Sequence, residues 1–297
     1  MHIQFLFFRR YMWSYLGQNF LTSSKIIYYI ASSIEQIYAD TKATTIIEIG
    51  PWKWAITKKI YTIPDIFVAI EKDTTLISKV EGIFANVSED STNPATQICI
   101  NEDILTCDMW EVLSSYNTNK SKTVIVWNLP YYITSPILRA CFATPKWQEH
   151  HSERSTSNGD ITHQDSFAAW FFMMQKEVGE NIKTDTEKKS FLWWLINYDN
   201  VVVYRKTVPA KAFRPAPKVT SCLMHIIPYV TYPTARPRRS AMIFFLEHVS
   251  LYTRKTLGKI SKILAKKWIE IDCPEHIASK RLETCTWEDL CILCNKL

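Results

Sequence analysis

Three acids and one short turn carry the chemistry that the residue types and spacings of this chain suggest. Glu48 lies near the end of the β-branched run Ile46-Ile47-Glu48-Ile49-Gly50, Glu71 closes Val68-Ala69-Ile70-Glu71, and Asp103 follows a third apolar run that ends at Ile100. Glu71 comes 21 residues after Gly50, the distance at which an acid grips a ribose hydroxyl pair in dinucleotide-type folds. Any one of these would read as a surface carboxylate. Acids at the carboxyl ends of three successive strands converge on one crevice and point to a cofactor that carries a nucleoside. A fourth run ends in Trp127-Asn128-Leu129-Pro130-Tyr131. In this Pro130-containing turn the Asn128 amide oxygen and the Leu129 carbonyl offer two acceptors beside an aromatic face, which is what holding the amino group of a flipped base requires.

These residues need a scaffold that brings strand ends to one edge. Short β-branched runs alternate with helical patterns from residue 25 onward, the pattern of a parallel sheet covered by helices. Strands are expected over 44–49, 67–70, 97–100, 123–126, 167–174, 200–208 and 218–227, and helices over 25–38, 57–63, 74–84, 135–142 and 178–183. Seven strands suit an α/β, doubly wound Rossmann-like domain. The polar stretch 148–165 interrupts the pattern as a long surface loop. Prolines from 228 to 237 then lead into a helical tail, which gives three parts: a lead with a cofactor-contact motif (1–21), the Rossmann-like domain (22–230) and a small, basic C-terminal helical domain (231–297).

Charge and composition narrow the partners. The net charge is +6, and nine basic residues between Arg236 and Lys267 face a single acid, Glu247. That density marks a surface for a polyanion such as RNA. Eight cysteines lack a framework spacing and read as reduced thiols of a cytoplasmic protein. The CxxC of Cys291 and Cys294 has no second pair, so no metal is expected. No run of about 18 apolar residues is present to span a membrane. The first ten residues have their charges after the apolar part, the wrong order for a secretion signal, and Met12 is an alternative start.

Glycine is scarce and tryptophan abundant, with 6 Gly and 11 Trp where an average usage of roughly 7% gives about 21 glycines. In Gly50-Pro51-Trp52-Lys53-Trp54, reading Trp52 and Trp54 as glycine restores the Gly-x-Gly turn that joins a first strand to its helix, where the backbone must approach a ligand closely. Two explanations stand open. UGA codons decoded as glycine have been written as tryptophan, or a divergent chain has filled its pocket with indoles.

The strings Leu16-Gly17-Gln18-Asn19-Phe20-Leu21, Glu48-Ile49-Gly50-Pro51, Asn128-Leu129-Pro130-Tyr131, Gln175-Lys176-Glu177-Val178 and Phe213-Arg214-Pro215-Ala216-Pro217-Lys218-Val219, in this order, resemble the ribosomal RNA adenine dimethyltransferase family. Arg254-Lys255-Thr256-Leu257 and Lys280-Arg281-Leu282-Glu283 resemble its C-terminal helices. The resemblance implies S-adenosyl-L-methionine as methyl donor and dimethylation of two adjacent adenosines near the 3′ end of small-subunit ribosomal RNA, on a pre-30S particle, by a monomer. It implies that Gln18 and Asn19, in the string that ends at Leu21, contact the methionine end of the cofactor, with Glu48 and Gly50 close by. Glu71 would bind the ribose and Asp103 the cofactor's adenine. Asn128 and Leu129 would hold the target amino group, Pro130 would shape the turn, and Tyr131 and Phe213 would stack on the base. The family has glycine at the positions of Trp52, Trp54 and Trp127, and commonly near Trp268, and arginine at that of Asn181. The alternatives are dimethylation of large-subunit RNA, as in the related macrolide-resistance enzymes, and a non-catalytic assembly factor if the tryptophans are real.

Overall fold

The computed structural model describes residues 19–51, 54–85, 96–143 and 166–297. Its centre is a seven-stranded sheet. In chain order the elements are β1 (Phe20–Leu21), α1 (Ser24–Thr41), β2 (Thr45–Ile49), α2 (Thr57–Ile60), β3 (Ile66–Ile70), α3 (Thr74–Ala85), β4 (Thr96–Ile100), α4 (Met109–Ser115), β5 (Thr123–Asn128) and α5 (Thr134–Ala143). They continue as β6 (Ala169–Gln175), α6 (Lys176–Ile182), α7 (Phe191–Ile196), β7 (Asn200–Val208), β8 (Phe213–Arg214) and β9 (Ser221–Pro228). Four helices close the chain: α8 (Arg239–Val249), α9 (Leu257–Ala265), α10 (Glu275–Ala278) and α11 (Trp287–Leu293).

The sheet order is β4-β3-β2-β5-β6-β9-β7. The chain therefore steps outward from β2 to β4, returns to β5 on the other side of β2, and leaves a switch point between β2 and β5. At such a point the crevice beyond the strand ends is open to a ligand. All five residues of β2 and the first five of β5 are buried, as near-continuous apolar runs must be when helices cover both faces. Successive side chains alternate between those faces: Ile47, Ile49, Ile125 and Trp127 join one core cluster, while Ile46, Val124 and Val126 join the other. On that second face Ile26, Ile30, Ile34 and Ile37 form the buried stripe of α1, at the three-to-four-residue spacing of one helix side.

The expected strands all appear, with ends shifted by up to three residues, but the sheet is mixed rather than parallel. β9 runs antiparallel to both β6 and β7, and the link from β7 to β9 carries the short β8 and no α-helix. The sequence carries no periodic mark of α4 and α7, which are only seven and six residues long, or of the β1–β8 pair, in which Leu21 lies opposite Phe213. The 148–165 loop lies outside the described residues. A third core cluster joins Trp193 and Trp194 of α7 and the nearby Tyr198 to residues of α8, α9, α10 and α11. The C-terminal helices are thus packed onto α7 instead of hanging from a linker.

Candidate functional site

Parallel register lines up the strand ends. Ile49 pairs with Ile70 on one side and Trp127 on the other, and Ile70 pairs with Ile100. The ladder runs one residue further, since Gly50 N–H donates to the Ile70 carbonyl (2.8 Å) and Glu71 N–H to the Ile100 carbonyl (3.0 Å). Gly50, Glu71, the Asn101–Asp103 turn and Asn128 therefore share one edge, as the sequence reading requires. Gly50 has φ 62°, a left-handed conformation that favours glycine.

Glu48 faces the side of Ile46, toward the start of α2, and is buried (4% exposed). Burial pushes its carboxyl up to about 7, because the charged form has lost its water. The Thr57 hydroxyl lies close enough to moderate that shift. Even so, neither Glu48 Oε2 nor Thr57 Oγ1 finds a partner at hydrogen-bonding geometry among the described residues, and Glu71 Oε2 is buried and unpartnered as well. The other Glu71 oxygen accepts from Asp73 N–H at 3.0 Å, while Asn101 Nδ2 donates to the Glu71 carbonyl at 2.8 Å. Asp103 is more open and lies 3.7 Å from Lys72 Nζ. Buried polar atoms without partners are costly, and three of the six among the described residues lie at the switch point, the others being Trp194 Nε1 and both ring nitrogens of His225. The residues present therefore fit a polar, hydroxyl-bearing ligand such as a nucleoside. Thr57 was not singled out from sequence, since a threonine at a helix start ordinarily signals a cap.

The turn after β5 is fixed from both ends. Leu129 N–H donates to the Met173 carbonyl (2.9 Å), and the Pro130 carbonyl accepts from Ile133 N–H (3.2 Å) and Thr134 Oγ1 (3.1 Å). The Asn128 side chain and the Leu129 carbonyl accept no hydrogen bond from another described residue, and Leu129 is fully buried. Tyr131 is partly buried, and its hydroxyl is hydrogen-bonded to the Ser221 hydroxyl. Ser221 is a fully buried residue at the start of β9, opposite Gln175. Only that antiparallel pairing reveals Ser221 as the group that orients the ring. Asn19, Tyr131, Tyr132, Gln175, Pro217 and Lys218 line a cleft of about 330 Å³.

Three expected residues stand differently. Gln18 lies outside the described residues, as does Trp52. Leu21 is buried (7% exposed) within the apolar cluster of α1, so its side chain holds the β1 segment in place. Phe213 is also buried (2% exposed) and packs in the same cluster as Leu21, Ala212 and Leu223. Antiparallel pairing with β1 draws it inward, so it offers no free face for a base. The basic stretch divides too. Arg236 lies over the Trp287 ring (3.8 Å), Arg239 pairs with Asp199, and Arg238 donates to the Leu297 carbonyl (2.6 Å). Arg254, Lys255, Lys259, Lys262, Lys266 and Lys267 are exposed, and none pairs with a carboxylate among the described residues.

A family model described as ribosomal RNA adenine dimethylase matches residues 12–267. The chain belongs to the ribosomal RNA adenine dimethylase family. A ribosomal RNA small subunit methyltransferase A from Hydrogenobaculum sp. is 30% identical over 281 residues, covering 95% of this chain and 91% of the relative. One of the same description from Staphylococcus carnosus is 28% identical, covering 86% and 80%. Among solved structures, a dimethyladenosine transferase from Plasmodium falciparum superposes with a TM-score of 0.62 at 19% identity, covering 92% of this chain and 95% of that one. The 23S rRNA methyltransferase ErmE superposes at 0.60 and 16% identity, covering 94% and 99%. At these identities the two structures establish the family's fold and do not choose between RNA substrates.

Proposed function

We propose that this protein dimethylates the N6 amino groups of two adjacent adenosines near the 3′ end of small-subunit ribosomal RNA, on a pre-30S particle in the cytoplasm, with S-adenosyl-L-methionine as donor. The observation that carries the reading is the juxtaposition at the switch point. Unpartnered, buried oxygens of Glu48 and Glu71 end two strands, and two acceptors of the Asn128–Tyr131 turn end a third. The relatives' description as small-subunit methyltransferases favours that RNA over the large-subunit alternative.

Glu71 would hold the ribose hydroxyls, Asp103 the cofactor's adenine, and Asn19 with Gly50 and Glu48 the amino-acid end. When bound, the cofactor supplies an electrophilic methyl on a sulfonium. The protein's task is to make a poor nucleophile reactive. An adenine amino nitrogen has its lone pair delocalised into the ring. Accepting its two N–H bonds on the Asn128 amide oxygen and the Leu129 carbonyl favours a pyramidal nitrogen with the lone pair directed across the crevice. Tyr131, braced by Ser221, would stack on the base, leaving Phe213 beneath as support. Positioning of this kind accounts for much of the acceleration, and no strong base is called for. The exposed lysines and Arg254 of the C-terminal helices (231–297) would bind RNA backbone, while 22–230 would carry the chemistry and the cofactor-contact motif of 1–21 would supply Asn19, in a monomer.

The test is methyl transfer by protein purified from its host to isolated small and large ribosomal subunits. Dimethyladenosine mapped to the small-subunit RNA is expected. Transfer only to the large subunit, or binding to particles without any transfer, would replace this reading by one of its alternatives.

A further inference from the structure

Eleven residues stand as tryptophan in this chain, and the described ones do not behave as one population. Among the described residues, four that are not glycine have positive φ: Lys42, Trp54, Asn117 and Trp268. Asparagine visits this region readily, whereas a bulky ring there is an outlier. Trp54 (φ 44°) lies four residues beyond Gly50 (φ 62°), in the loop between β2 and α2, with its N–H donating to the Pro51 carbonyl at 2.6 Å. Two left-handed residues so close together, in a loop beside the switch point, make a backbone built for glycine.

Trp268 (φ 64°) ends α9. Its N–H donates to the Ala265 carbonyl, and the next N–H, of Ile269, reaches back to Leu264, both at 3.1 Å. Leu264 and Ile269 belong to one apolar cluster. This paired closure with its apolar contact places Trp268 at the helix-ending position that glycine usually fills. Lys42 closes α1 in the same way, so the backbone alone does not demand glycine. The difference lies in the side chain: the Trp268 residue is 96% exposed, and a large indole that stays in water gains nothing to offset its left-handed backbone.

Trp193, Trp194 and Trp287 are the opposite. Trp193 Nε1 donates to the Lys183 carbonyl at 2.9 Å, Trp194 is fully buried, and Trp287 packs edge-on against Trp194 with ring centroids 4.7 Å apart, beneath Arg236. Together they are the centre of the third core.

We infer that positions 54 and 268 are glycine in the protein its host makes, whereas 193, 194 and 287 are tryptophan. One decoding rule explains both groups: UGA read as glycine but written here as tryptophan, beside ordinary UGG codons. By the same criterion Trp127, 4% exposed and edge-on to Phe172, falls with the tryptophans although the family has glycine there. The inference rests on backbone conformation and burial, and only its cofactor-binding readout rests on the proposed activity.

Peptide mass spectrometry of the protein from its host, together with the codons at the five positions, tests it. Glycine at 54 and 268 from UGA, with tryptophan at 193, 194 and 287 from UGG, is expected. Tryptophan at 54 or 268, or glycine at any of the other three, overturns it. In the chain produced as written, Trp54→Gly with Trp268→Gly should raise the melting temperature by a few degrees and tighten S-adenosyl-L-methionine binding about tenfold or more, whereas Trp193→Gly should lower the melting temperature. Tight cofactor binding by the written chain, unchanged by Trp54→Gly, counts against it. Methyl transfer by the host protein is a separate readout, so confirmed tryptophans in an active enzyme would overturn this inference and leave the activity standing.

Discussion

At the residue scale, the proposed reading has Glu48 help to hold a ligand and Asn128 aim a nucleophile, and each makes a measurable prediction. Glu48 is buried with its acidity shifted up to about 7, so the folded chain binds a proton more tightly than the unfolded one. Its contribution to stability is fully present below the ordinary carboxylate range and is lost as pH rises through about 7. Thermal melts of the ligand-free protein should show this as a decline between about pH 5 and 8, worth on the order of 3 kcal/mol at most. Glu48→Gln should flatten that decline and raise the melting temperature at pH 8, and an unchanged slope would mean that another group titrates there. His225 works in the other direction. Burial lowers its imidazole to about 4, so its contribution falls away as pH drops from about 6.5 toward 4, and the Glu48 signal is best read above pH 6.5. Asn128→Ala removes one of the two acceptors in the turn. Turnover should fall by about a hundredfold or more, while the cofactor's dissociation constant, measured by calorimetry, changes little. A parallel loss of cofactor binding would reassign Asn128 to the cofactor.

At the scale of elements, two glycines within helices make opposite predictions because their surroundings differ. A Cβ at Gly179 of α6 would lie 2.3 Å from Cys222 Sγ and 2.9 Å from Met224 Sδ, both on β9, so α6 approaches the sheet as closely as it does only because no side chain intervenes. A Cβ at Gly82 of α3 meets nothing within 4 Å. Gly82→Ala should therefore stabilise by up to about 1 kcal/mol through helix propensity. Gly179→Ala should destabilise by about 1–3 kcal/mol through overpacking, in spite of the same propensity gain. Denaturant melts of the two variants decide the matter, and a shift of the same sign in both would mean that packing against β9 does not control α6. These contacts also show what was legible in the sequence. The strand runs were plain because β-branched residues crowd into short apolar stretches. The short α4 and α7 have too few turns for a helical period to emerge, and the reversal of β9 leaves no mark in its own residues.

At the scale of the molecule, the third core couples the C-terminal helices to α7, while Arg254, Lys255, Lys259, Lys262, Lys266 and Lys267 pair with no carboxylate among the described residues. A surface of this kind binds RNA with a strong dependence on salt. Replacing Lys259 and Lys262 together by Ala should weaken binding to small-subunit RNA and reduce the slope of log affinity against log salt by about two, with the melting temperature unchanged because both side chains are exposed. An unaltered slope would place the RNA on another face. The arginines nearer the linker are a poor choice for this experiment, since Arg236 and Arg239 are engaged with Trp287 and Asp199.

The sequence by itself determined the strand ends that carry Glu48, Glu71 and Asp103, the turn at Asn128 and the family, because these are local patterns in which residue type and spacing are the signal. Only the tertiary structure decided that Phe213 and Leu21 face inward, that Ser221 braces Tyr131, and that the basic stretch divides into packed arginines and exposed cations. Each depends on which distant segment packs alongside, and pairing across a sheet or burial against a helix leaves no periodic trace in either partner. The tryptophans show the same division. Their number and neighbours raised the question in the sequence, and positive φ separated positions 54 and 268 from 193, 194 and 287, with exposure adding to the case at 268 alone, because a backbone conformation is a property of the folded chain.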